Sequence, residues 1–367
     1  MKKLYIITLF IITLLFNNIK VNAMDMRNPA ECVEVIMVGD DLIHQPLYKA
    51  AEKADGSYDF SNQFKNVPEI KNADIAIINQ ETILVDDYSK ISSYPCFGTP
   101  VEIGEDIVNA GFDVVAHATN HTYDKGYYGI ESTLNYWSTK YPNIPILGIH
   151  SSTLEKDYYL YKYNDLTIGF VNYTYGLNGI TRKMSYSVDL LSDDDIEETM
   201  LKCCAGSDIQ IAILHVGEEY RYTPTEYQRQ QVEKFIDNGA DVVICAHPHV
   251  VEPYEYVTTK AGNKGVVYYS LGNFISGQTE IDRCLGGMAE FTIIYTNENG
   301  NIKASVADDF KMIPLFTHQQ SGNYTTYRLS DYNDDLLKQH KLYGKTNGKS
   351  VSDIWKLWDS IIKKDGD

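Results

Sequence analysis

Positive charge is scarce in this 367-residue chain: 32 lysines and arginines stand against 50 aspartates and glutamates, a formal charge of −18. So few cations argue against nucleic acid and against anionic lipid surfaces as partners, because both are bound largely by neutralising their phosphates. Divalent cations, by contrast, are drawn to such a surface. The six cysteines, Cys32, Cys96, Cys203, Cys204, Cys245 and Cys284, include no CxxC pair, and no disulfide framework is legible in their spacing. Cys245 sits inside an apolar run and reads as a small buried residue. Low-complexity linkers and repeats of solenoid period are also missing. That leaves one main domain, 24–317, with a C-terminal extension, 318–367, expected to be helical and packed on the domain. No oligomeric state is legible.

The N-terminal apolar run, Leu4 to Phe16, falls short of the roughly 20 residues that cross a bilayer. Lys2 and Lys3 precede it and Val21-Asn22-Ala23 follows, the basic, apolar and cleavable order of a secretory signal at 1–23. No cysteine follows the apolar run, which argues against a lipid anchor. The expectation is an exported protein, extracellular or held at the cell surface, beginning near Met24. The removed segment carries Lys2, Lys3 and Lys20 and no acid, so its loss takes the charge from −18 to −21.

What the chain does contain is short β-rich apolar runs alternating with amphipathic stretches, the pattern of an α/β protein. The runs are VEVIMVGD (33–40), ADIAIINQE (73–81), FDVVAHATNH (112–121), IQIAILHVG (209–217), ADVVICAHPH (240–249) and GVVYYSLGNF (265–274). Between them, TPTEYQRQQVEKFIDNGA reads as a helix with Thr223 as N-cap, Pro224 at the first helical position and Glu226 closing a capping box. Val232, Phe235 and Ile236 give it one apolar face, and Gly239 its left-handed stop. PVEIGEDIVNAGFD repeats the plan, with Gly111 as the stop. NENGN (297–301) marks a hairpin turn. Near the end, VSDIWKLWDSIIKK lines up Ile354, Leu357, Trp358 and Ile361 on one helical face.

Each apolar run stops at polar residues, and in open α/β sheets ligands bind at the carboxyl ends of the strands. Those ends offer Asp40, Glu81, Asn120, His121, His215, His247 and His249. Singly, an aspartate after a glycine caps a turn and a histidine is a satisfied core residue. Five strand ends carrying oxygen and imidazole donors together point to a shared cation. Carboxylate, amide and imidazole donors suit Mn, Fe, Zn and related divalent ions, one or two of them. A bridging carboxylate can hold two ions ~3.5–4 Å apart. Pro248 restrains the turn between His247 and His249 and sends the two imidazoles different ways.

The blocks VGDDLIH, NQE, ATNHTYDKG, ILHVGEEY, GADVVICAHPHVVEPYE and YYSLGNF, in order across roughly 33–280, resemble the signatures of the CapA family. That family is associated with bacterial capsule and poly-γ-glutamate synthesis and lies within the calcineurin-like metallophosphatase superfamily. The resemblance implies a four-layer α/β/β/α sandwich of metallophosphatase type. It also implies Asp40 as a ligand of a first metal, Glu81 as the bridge, Asn120 and His215 on a second metal, His247 on the second and His249 on the first. His121 would be the general acid, oriented by Asp124, and activated water the nucleophile, with no covalent intermediate. The superfamily's histidine two residues after the aspartate is here Leu42, with His44 as a candidate substitute metal ligand. Its usual GD-x-x-D aspartate is replaced by Glu81.

Glu218, Glu219, Tyr220 and Arg221 follow the His215 strand and read either as a substrate-facing loop, with Arg221 clamping a carboxylate or phosphate, or as a solvated loop. Asn273 is a further substrate-side position. The leading expectation is an exported CapA-like protein in capsule or poly-γ-glutamate biosynthesis, with a metal-dependent hydrolase-type site for a phosphoester or γ-glutamyl amide. The alternative is a non-catalytic accessory that binds the anionic polymer or its membrane synthase for export. A phosphodiesterase unrelated to capsule needs only the metal site.

Overall fold

The strand Glu31–Leu42 organises the architecture, and nine of its twelve residues are buried. It pairs in parallel with Ile75–Gln80 on one side and antiparallel with Leu285–Glu298 on the other. Both of its faces are covered, which is why its sequence is a continuous apolar run rather than an alternating one. In the computed structural model, residues 30–154, 157–345 and 348–362 are described. The expected signal segment at 1–23 lies outside them.

Nine strands form the first sheet. Its main path runs from Asn323–Arg328 through Lys311–Gln320, Leu285–Glu298, Glu31–Leu42, Ile75–Gln80 and Val114–Ala116 to Ile146–Leu147. The second sheet has six strands, ordered Val251–Thr258, Lys264–Leu271, Val242–Ala246, Ile209–His215, Leu166–Thr174 and Tyr159–Tyr163. The sheets stack face to face. Val35, Met37, Ile77 and Val114 of the first meet Ile168, Phe170, Ile211, Ile213 and Ile244 of the second in one buried cluster. Alternate residues of the same strands turn outward. Ile36, Val38, Ile78 and Val115 pack under the helices Gln45–Ala51 and Ile103–Ala110 and under Trp137. Ala212, Leu214, Val243 and Cys245 pack under Ile196–Gly206 and Glu226–Asp237. The result is the expected four-layer α/β/β/α sandwich.

Local signals mostly hold. Gly111 ends its helix at φ 108°, and Asn299 and Gly300, at φ 57° and 88°, turn the hairpin between Leu285–Glu298 and Asn301–Val306. One register differs. The N-cap of the helix Glu226–Asp237 is Thr225, not Thr223, and its capping-box partner is Gln228, not Glu226. The sequence offers both a T-x-x-E and a T-x-x-Q register. Gln228 wins because its amide also donates to Glu252 and to the Tyr269 carbonyl beneath the helix, contacts that Glu226 has no donor to make.

The boundary expected at 317/318 falls inside the strand Lys311–Gln320, and Asn323–Arg328 adds the sheet's edge. The segment from 318 therefore opens with β-structure, because His318, Thr325 and Thr326 are buried in the ladder despite their polarity. Further on, Ile354, Trp358 and Ile361 of the helix Val351–Ile362 join the inter-sheet cluster. All six cysteines are free thiols. Among the described residues, no helix is long and apolar enough to cross a membrane.

Candidate metal centre

Parallel pairing aligns the carboxyl ends of Glu31–Leu42, Ile75–Gln80 and Val114–Ala116 in one sheet and of Ile209–His215 and Val242–Ala246 in the other. The two edges face each other, so donors as far apart in the chain as Asp40 and His249 meet. Gly39 makes the first approach possible: a Cβ there would lie 2.0 Å from the Gly272 carbonyl oxygen. Instead the Asp40 N–H donates to that oxygen at 2.9 Å. His247 and His249 flank Pro248 at φ 104° and 59°, a positive-φ region that residues other than glycine rarely enter. The turn directs both imidazoles into the centre.

The donor atoms of Asp40, Glu81 and His249 lie within 4.8 Å of one another, as do those of Glu219, His247 and His249. His215 Nε2 is 2.9 Å from Asn120 Oδ1 and 3.7 Å from Glu81 Oε1. His249 Nδ1 is 3.1 Å from Asp40 Oδ2, and its Nε2 is 3.8 Å from Glu81 Oε1. The rings of His215 and His247 are 4.9 Å apart. All six residues that the resemblance implies as ligands are therefore gathered in one buried place. Glu219, expected on the substrate side, also joins as a donor.

Electrostatics prepare these groups for a cation. Burial, with Asp40 nearby, holds the Glu81 carboxyl well above its usual range. Burial, assisted by the neighbouring imidazoles, keeps His215 far below its ordinary value and His247 at about 3, so both present neutral lone pairs. Burial would lower His249 as well, but the Glu81 and Asp40 carboxylates overturn that and push it to about 9. Both Glu81 oxygens and His247 Nδ1 are buried without a hydrogen-bond partner. A buried, unpaired carboxylate costs several kcal/mol, and orphaned N and O atoms around one point are what a divalent ion satisfies. The residues fit the group.

His121 lies beside this set. Its Nδ1 is 2.7 Å from Asp124 Oδ2, an oxygen that also accepts from the Phe97 N–H at 2.7 Å. The carboxylate fixes the proton on Nδ1 and leaves Nε2 as the ring nitrogen with a free lone pair. The remaining expectations separate. Asn273 is buried behind His249, with Oδ1 3.1 Å from its Nδ1 and Nδ2 donating to its carbonyl at 3.2 Å, so it orients that imidazole. His44 is not gathered with the donors. Its Nδ1 accepts from the Gly277 N–H at 3.2 Å, burial lowers it to about 4, and its ring packs edge-on against Phe97. Arg221 is exposed and occupied by Glu218 at 3.0 Å and Thr223 at 3.2 Å, which favours the solvated-loop reading for that side chain.

Several functional positions had no sequence signal of their own. Asn79 donates to Asp40 Oδ1 at 2.8 Å, and only its place before Gln80-Glu81 hinted at it. Asp41 is a fully buried carboxyl with no partner, held well above its usual range by burial. Tyr175 sets its ring 4.6 Å from His247. Asn178 accepts from the Asn120 amide at 3.2 Å, and its Nδ2 lies 3.3 Å from His121 Nδ1, from a loop with no motif.

Residues 34–278 match the model of the family described as "Bacterial capsule synthesis protein PGA_cap". The PGA biosynthesis protein CapA of Bacillus subtilis strain 168 is 29% identical over 258 residues, covering 70% of this chain and 62% of that protein. The capsule biosynthesis protein CapA of Bacillus anthracis is 24% identical over 259 residues, covering 68% and 61%. The match therefore spans less than two thirds of the length of these relatives. Among solved structures, a hypothetical protein from Thermus thermophilus aligns with a TM-score of 0.40 at 14% identity, over 75% of this chain and 98% of that one.

Proposed function

The chain belongs to the family described as bacterial capsule synthesis protein PGA_cap, and on that basis we propose that it serves assembly of an anionic cell-surface polymer such as poly-γ-glutamate. Its site would act as a metal-dependent hydrolase on a phosphoester or a γ-glutamyl amide of that polymer. The observation that carries this reading is the convergence of Asp40, Glu81, Asn120, His215, His247 and His249 at the facing sheet edges, with Glu81 unsatisfied among them.

Asp40 and His249 would hold one ion, Asn120, His215 and His247 a second, and Glu81 would lie between them. A divalent cation of the Mn, Fe or Zn class supplies Lewis acidity toward an oxygen of the scissile group. The protein's own part is orientation and proton transfer. Asn79 and Asn273 fix Asp40 and His249 from behind, as supporting groups around metal ligands do. Asp124 holds the His121 ring so that Nε2 can pass a proton to the departing atom. A cavity of about 550 Å³, lined in part by Tyr175, Leu177 and Ile180, opens beside the His247 ring and offers room for a chain-like substrate.

In this reading the protein acts outside the cytoplasm, as the 1–23 segment suggests, and its partners are the polymer or its membrane synthase. One feature favours a second, non-catalytic reading: Leu42, where the superfamily carries a histidine, is buried apolar surface and offers the first ion nothing. His121→Ala separates the two. A hydrolase loses about 10²- to 10⁴-fold in turnover of γ-glutamyl peptides or phosphoesters with Mn or Zn present. An accessory binds polymer as before, and absence of turnover on every substrate in the wild type would refute the enzymatic part.

A further inference from the structure

One cation at the mouth of the centre has no anionic partner. Of the five arginines among the described residues, Arg182, Arg221, Arg229 and Arg328 each hold a carboxylate. Arg283 holds none. Its guanidinium lies 3.6 Å over the Tyr220 ring, and its Nε is buried without a hydrogen-bond partner. Even the adjacent Asp282 is engaged elsewhere, accepting from the Tyr222 hydroxyl at 2.6 Å and from the Arg283 N–H at 3.0 Å.

Two ties place Arg283 against the centre. On the side-chain route, the Tyr220 ring is 6.0 Å from the His249 ring. Tyr220 is held at φ 65°, with its N–H donating to the Pro248 carbonyl at 2.8 Å. Such a conformation persists only where its surroundings impose it. On the backbone route, Asn273 Nδ2 donates to the Arg283 carbonyl at 3.0 Å, while the same amide's Oδ1 meets His249. A guanidinium presents paired N–H groups that match an oxyanion, and stacking on an aromatic ring leaves that fork free. In a protein of charge −18 with Glu219 at the same mouth, a cation beside the centre favours the approach of a polyanion.

We propose that Arg283, stacked on Tyr220, is an oxyanion-binding subsite that takes a carboxylate or phosphate of the polymer unit flanking the one at the metal centre. The inference rests on the polymer-directed function above and deepens it. It assigns to Arg283 the clamp role that the sequence pattern suggested for Arg221.

The test is calorimetric titration of the full Mn-loaded chain with a γ-linked glutamate pentamer, with its uncharged α-carboxamide, and with bis-glycerol phosphate. Arg283→Gln is expected to weaken the charged ligand by about tenfold to a hundredfold, the loss for one charge-assisted contact. Arg283→Lys should weaken it less, and Arg229→Gln, at a guanidinium already held by Glu255 and Tyr269, should leave it unchanged. Mn affinity, read in the same instrument, should stay as in the wild type for every variant, which separates loss of the subsite from loss of the fold. If Arg283→Gln does not fold, Arg283→Lys decides alone. The preferred anion, pentamer or phosphodiester, identifies the source of the oxyanion. The proposal is overturned if the Arg283 variants bind like the wild type, if the amide binds as tightly as the pentamer, or if the wild type binds neither anion. Arg283-dependent binding without any turnover would remove the hydrolase reading and leave the subsite. Turnover with Arg283-independent binding would do the reverse.

Discussion

Glu81→Gln should change sign with metal. Glu81 is fully buried, both its oxygens lack hydrogen-bond partners, and Asp40 lies beside it, so its carboxyl is held well above the usual range. Without metal, a glutamine has the size and neutrality of a protonated Glu81 and escapes the cost of burying charge. The metal-free variant should therefore melt at or above the wild-type temperature. With metal the position reverses. An ion at 100 times its dissociation constant adds about 2.7 kcal/mol to wild-type stability, which for a domain of this size is a rise of about 5 °C. Losing the central carboxylate should weaken the ion by at least about a hundredfold, judging from the ten- to hundredfold losses seen for mere supporting residues. The same metal concentration then adds only about 0.4 kcal/mol, or about 1 °C. The assay is thermal unfolding of EDTA-treated protein with and without added Mn or Zn. A metal-free variant several degrees less stable than the wild type, or one that keeps the full metal-induced rise, would refute the assignment of Glu81 as a ligand.

Two further predictions concern the framework around the site. Burial pushes Glu252 up to about 8, so between its unfolded value near 4.5 and pH 8 the folded protein holds a proton that the unfolded chain has lost. Stability on that account falls as pH rises through this window, and Glu252→Gln, which keeps an acceptor for Gln228, should remove the slope and raise stability at pH 8 by on the order of a few kcal/mol. Urea midpoints at pH 5 and pH 8 read it, and parallel slopes in the two proteins would count against it. At the helix Glu226–Asp237, Thr225→Ala should cost about 1 kcal/mol and Thr223→Ala much less, because only Thr225 closes the capping box; equal losses in denaturant unfolding would contradict that register.

Residue order alone was enough to say which residue types stand at the ends of the apolar runs, and hence to give the α/β alternation and most helix stops; the family resemblance selected the six candidate donors among them. Those are local facts: a run of Val and Ile makes a buried strand, and Gly111 must stop a helix whatever surrounds it. Local pattern failed where two solutions were equally good nearby. Thr223 and Thr225 are both acceptable caps, and only Glu252 and the Tyr269 carbonyl, brought under the helix by the second sheet, choose between them. The same holds at the site. Arg221 stands next to a motif and Arg283 does not, yet the chain's return through Asn273 places Arg283 over Tyr220 while Arg221 turns to Glu218. Candidate donors are written residue by residue, because only particular side chains carry the oxygen and imidazole atoms that a metal accepts. Which remaining side chains support those donors depends on contacts between residues far apart in the chain, and only the packing of the two sheets supplied them.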